Sequence, residues 1–108
     1  MEIILKRPND EPAELIEVEN SDAAITAVLG GQFEKAKILS DAVLLYIKDG
    51  KAFGHRKNKV KLGDFYGTVA VAGYDPESGE LCDVRSPEIF FGKYYVRTKG
   101  FRYEGKKT

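Results

Sequence analysis

The stretch "GHRKNKVK", residues 54–61, sets the chain's sole histidine, His55, beside Arg56, Lys57, Lys59 and Lys61, with one amide, Asn58, among them. Cations at alternating positions suit phosphate chemistry. In an extended chain Lys57, Lys59 and Lys61 share one face and can follow a nucleic-acid backbone. His55, Arg56 and Asn58 complete a candidate anion or nucleic-acid site. The competing reading is a solvated edge whose lysines block strand-to-strand association, and it carries more weight because most charge runs serve solubility.

A second group lies near the C-terminus in "FFGKYYVRTKGFRYEGKK". Phe101 and Tyr103 flank Arg102 and follow Arg97 and Lys99, an interleaving that lets rings stack on bases while cations meet phosphates. Core or interface packing explains Phe90, Phe91, Tyr94 and Tyr95 more simply in a chain without tryptophan.

Bond-making chemistry finds less support. One imidazole and one thiol, Cys82, offer no ordered set of acid, base and nucleophile, so no catalytic residue is assigned and a non-enzymatic protein is expected. A metal site needs several ligands at short repeated spacing, and no such spacing occurs. The acidic "DPESGE" at 75–80 reads as a turn. Neither phosphate-binding glycine motif is present, so no cofactor is expected.

These residues must be positioned by a small fold. At 108 residues and 43% apolar content, one domain with one core is expected, and the 31% charged content belongs to a folded protein. Net charge is zero, yet residues 1–30 hold 2 basic and 7 acidic side chains while residues 31–66 hold 8 and 4. A surface of two signs follows. The opening "MEIILKRPND" has too short an apolar run for a signal peptide, and no stretch approaches the roughly 20 apolar residues of a membrane span. A cytoplasmic protein with no membrane partner is expected, which the single cysteine also suits.

"EIILK" at 2–6 and "AELIEV" at 13–18 read as strands joined across the turn-formers Pro8, Asn9, Asp10 and Pro12. "NSDAAITAVLGG" predicts a short amphipathic helix with Asn20 or Ser21 as N-cap and Gly30-Gly31 as stop. "QFEKAKIL" has the mixed pattern of an edge strand, and pairing with its own copy across a two-fold axis would make a homo-oligomer. In "AVLLYIKDGKAFGH", Asp49-Gly50 predicts a tight hairpin between two strands. "DFYGTVAVAGYD" predicts a central strand packed on both faces, ended by Gly73 and "DPESGE". Ser86, Pro87 and Glu88 start a helix over 87–98, with a strand pair as the alternative, and the tail 104–108 is expected to fray. The order β-β-α-β-β-β plus a C-terminal helix is an α+β pattern with a mostly antiparallel sheet.

Over about residues 1–75, "VLGG", "QFEKAKI", "VLLYIKDGKAFG", "HRKNKV" and "GTVAVAGYD" together resemble a family of small uncharacterised domains from bacteriophages and mobile elements of Gram-positive bacteria. No catalytic residue is established for that family, and Asn58 is the polar position that matches its pattern. The resemblance implies an accessory protein that binds a host macromolecule, such as a host protein whose function it inhibits. A nucleic-acid or nucleotide-binding module using the basic segment and the C-terminal aromatics is the alternative.

Overall fold

The computed structural model describes residues 1–9, 13–58, 60 and 64–85. Strands β1 (Glu2–Lys6) and β2 (Glu14–Glu17) precede helix α1 (Asp22–Leu29), which is followed by β3 (Phe33–Leu39), β4 (Ala42–Ile47), β5 (Val69–Tyr74) and β6 (Leu81–Cys82). They form one antiparallel sheet in the order β2-β1-β5-β4-β3, with β6 also on β5. The chain is therefore an α+β protein with a short helix. The expected helix at 87–98 and the tail 104–108 lie outside the described residues.

The central position of β5 follows from its composition. "VAVAGY" has no charged residue and is buried from Val69 to Gly73, so both of its edges and both of its faces can be covered without stranding a charge. One edge takes β4. The other is shared end to end, with β1 beside Val69–Val71 and β6 beside Gly73 and Tyr74. The Val84 N–H donates to the Glu2 carbonyl at 2.9 Å, and the Glu2 N–H donates to the Asp83 carboxylate at 2.8 Å, tying β1 to the chain just after β6.

Alternation along the strands divides the core in two. Ile3, Leu5, Val43, Leu45, Ala70 and Ala72 face α1, which buries Ile25 and Leu29 against them. Ile4, Leu44, Val69 and Val71 face the other way and are covered by Ala13, Val60 and Val84, with Phe65 and Tyr46 alongside. Each large apolar side chain so buried contributes about 1.5–3 kcal/mol. The helix begins at Ser21, whose hydroxyl accepts from the Ala24 N–H at 3.1 Å. It ends at Gly30, where a left-handed φ of 91° lets the Gly30 N–H reach the Thr26 carbonyl.

Two expectations need correction, and one strand was not anticipated. The tight hairpin joins β3 to β4 through Ser40 and Asp41, not through Asp49-Gly50. Asp49 does take a left-handed φ of 56°, but the chain then runs through turns at 51–54 and forms no strand there. The reason is competition for edges: β4 already pairs β3 on one side and β5 on the other, so a strand after Gly50 has nowhere on β4 to bind. Gly73 lies within β5, not at its end. A side chain there would drive into the Asp83 carbonyl, so glycine allows β6 to approach. Finally, "DPESGE" turns the chain into β6, a strand the composition of "LC" does not announce.

Candidate nucleic-acid and protein interface

Residues 48–58 leave the end of β4 and return toward β5. Their path is fixed by backbone hydrogen bonds: Phe53 N–H to the Asp49 carbonyl at 3.1 Å, Gly54 to Lys51 at 3.1 Å, and His55 to Gly50 at 3.0 Å. From Arg56 the chain runs antiparallel to residues 65–67, with the Asn58 N–H on the Phe65 carbonyl and the Gly67 N–H on the Arg56 carbonyl, both at 2.7 Å.

In the described part of the basic segment the non-basic residues are the buried ones. Asn58 and Val60 point inward, 3% and 6% exposed, while Arg56 and Lys57 are exposed. The inward pair sets the pattern, because Val60 covers the second core face and Asn58 satisfies buried backbone. Its side-chain nitrogen donates to the Lys6 carbonyl at 2.9 Å and to the Gly67 carbonyl at 2.7 Å. Both amide hydrogens are thereby committed inside the protein, and Asn58 presents no donor to an anion. Beside it Lys6, 1% exposed, turns its ammonium onto the Arg7 and Asn9 carbonyls at 2.6 and 2.7 Å. A buried cation demands such partners.

Lys57 ion-pairs with Asp64 at 3.2 Å, an exposed contact worth at most about 1 kcal/mol. Arg56 stays on the surface nearby. Lys59, Lys61, Phe101 and Tyr103 lie outside the described residues. The His55 ring packs on Gly67, where a Cβ would come within 3.3 Å of it and 2.6 Å of Ile47. Gly67 also holds φ at 94°, so the site requires glycine there twice over.

His55 instead lines a cleft of about 450 Å³ with Gly31, Gln32, Ile47, Lys48 and Phe53. A second, more open cleft of about 430 Å³ lies across the turn, lined by Tyr46, Lys51, Asp64, Phe65 and Tyr66. Tyr46 and Phe65 meet there with ring centroids 5.0 Å apart. Burial raises the Tyr46 phenol above its ordinary value, and the charge and hydrogen bond of Glu34 add to the shift. Between the clefts stands the turn that carries Phe53, which is 75% exposed. Sequence reasoning does not single out Phe53. The available signal was an aromatic set among turn-formers in "DGKAFG", with no apolar partner at strand or helix spacing.

Cys82 sits far from this end. It pairs with Gly73, which pairs with Ala42, whereas His55 lies by Ile47, five residues along β4 and so about 16 Å away at about 3.3 Å per residue. Among the described residues no carboxylate or hydroxyl hydrogen-bonds the His55 ring, and no three metal-ligating side chains cluster. No helix among them is long and apolar enough to cross a membrane. Comparison of the chain with family models, with curated proteins and with solved structures finds no match in any of the three.

Proposed function

We propose that this chain is a non-enzymatic binding domain that docks an acidic surface of a partner protein through the end built from residues 30–32 and 47–56. One observation carries the reading: Phe53 is held 75% exposed by a hydrogen-bonded turn, at the lip of a cleft. Exposing a large ring on a fixed turn forfeits its burial energy, and anchoring a partner recovers it. Lys48, Lys51 and Arg56 are exposed around it against one exposed carboxylate, Asp49, a positive balance that favours an acidic partner. The resemblance over residues 1–75 supports a host protein as that partner.

Affinity capture from a host lysate, run with wild type and Phe53→Ala side by side, tests the proposal. Wild type should retain a specific protein and Phe53→Ala should bind it roughly thirtyfold more weakly, the loss of about 2 kcal/mol typical of an anchor. Both should melt alike, because the side chain supports little of the fold. Equal capture by both baits sinks the role of Phe53. Retention on DNA at low salt with a steep salt dependence, reduced by Arg56→Ala with Lys57→Ala, would assign the segment to phosphates instead.

A further inference from the structure

The described sheet ends at β3, and that edge has a chemistry of its own. The Lys48 N–H donates to the Gln32 carbonyl at 2.9 Å, which makes 32 and 48 a hydrogen-bonded pair of the antiparallel ladder. Such pairs alternate with pairs whose backbone groups point away. By that alternation Phe33, Lys35 and Lys37 turn their N–H and C=O groups outward from β4, up to the irregularity between Lys37 and Leu39. Among the described residues no strand takes them.

We infer that this edge accepts an acidic extended segment of another protein as an added strand, with carboxylates two residues apart facing Lys35 and Lys37. Lys35 and Lys37 are exposed and share the face that carries α1, being paired with Leu45 and Val43. An incoming strand must therefore bring anionic groups to that face, and opposite charges directly across a ladder stabilise it. The residue between them meets the opposite face, where Ala36 and Ile38 are half-buried and apolar, so a β-branched side chain suits it. Lys37 rests its ammonium 5.1 Å from the centre of the Tyr74 ring, an exposed contact that a carboxylate can replace.

A second copy of this chain suits the middle of this edge poorly. Two-fold pairing centred on Ala36 sets Lys35 against Lys37 twice, centring on Lys35 or Lys37 sets a lysine against itself, and centring on Glu34 opposes two glutamates, so a copy would have to pair from one end of the strand. The chain's own residues 93–108 carry six basic and one acidic side chain, again the wrong sign. The inference stands on β3 alone and does not need the Phe53 cleft.

The probe is a fluorescent, end-capped heptapeptide alternating glutamate with valine, titrated into the full chain at low salt and followed by anisotropy and by ¹⁵N–¹H spectra. Binding should shift the amides of Phe33, Lys35 and Lys37 most. A peptide of equal composition with its glutamates in one block should bind about tenfold more weakly, as should the K35E/K37E variant, while Phe53→Ala should leave affinity unchanged. N-methylation of the peptide groups that face β3 should abolish binding, since main-chain hydrogen bonds carry it. Equal binding of the block peptide, unshifted β3 amides, or concentration-dependent dimerisation through β3 would each overturn the inference.

Discussion

β5 and β3 belong to one sheet and differ in nearly every physical respect. β5, "VAVAGY", touches β4 on one side and β1 and β6 on the other, and Tyr74 is its one residue not fully buried. β3, "FEKAKIL", is the longest strand, carries three charges and buries no residue fully. Where a strand sits is thus recorded in what it can bury. A charge in β5 would be stranded without solvent, whereas Lys35 and Lys37 on β3 are exposed and leave their charges hydrated. The stability of the fold belongs to the first strand and its neighbours. The proposed contacts fall on the second, and on the turn beyond β4.

The largest test of this contrast removes side chains at the centre. Leu44→Ala and Leu45→Ala face opposite sides of the sheet, are both 0% exposed, and should each cost about 2–5 kcal/mol in urea unfolding. Lys35→Ala on β3 should stay within about 0.5 kcal/mol, and a larger loss would erase the distinction. Next comes Asn58→Ala, which strips a donor from each of two interior carbonyls and should cost about 1–3 kcal/mol. If Asn58 were instead a ligand contact, that substitution would alter binding and leave the melting temperature in place.

The smaller effects appear in pH profiles. The folded Tyr46 phenol is raised by burial and by Glu34, so its contribution is intact below the ordinary tyrosine value and is lost as pH rises through the folded one. Tyr46→Phe should flatten alkaline unfolding, and Glu34→Gln should flatten it in part. Asp75 moves the other way. The Glu77 N–H on its carboxylate, 2.9 Å away, holds it below the usual carboxylate range, opposed by some desolvation and helped by Ser78 and Arg85. Its contribution is present above that range and disappears as pH falls through the folded value, so Asp75→Asn should remove a slight acid-side slope in the melting temperature.

Much of the fold was readable residue by residue. Ser21 and Gly30 cap α1 through groups a few positions away, β1 and β2 pair antiparallel as neighbours in sequence, and the unbroken apolar run of β5 announces a strand covered on both sides. Asp49-Gly50 misleads because a turn signal is local while a hairpin also needs a vacant edge. The candidate site was half readable: His55, Arg56 and Lys57 were named for their charge, but nothing in "HRKN" tells that the asparagine faces inward to serve Lys6, 52 positions earlier.

By itself the amino-acid sequence determined α1, the strands β1 to β5 and their apolar faces, since caps, alternation and composition act over a few residues. The tertiary structure alone decided which neighbours took the inner edges, and through them the rest: the hairpin at Ser40-Asp41, β6 beside Gly73, His55 beside Gly67 and Phe53 left outside. Pairing is a competition among distant segments for a limited number of strand edges, and its outcome depends on every contender at once.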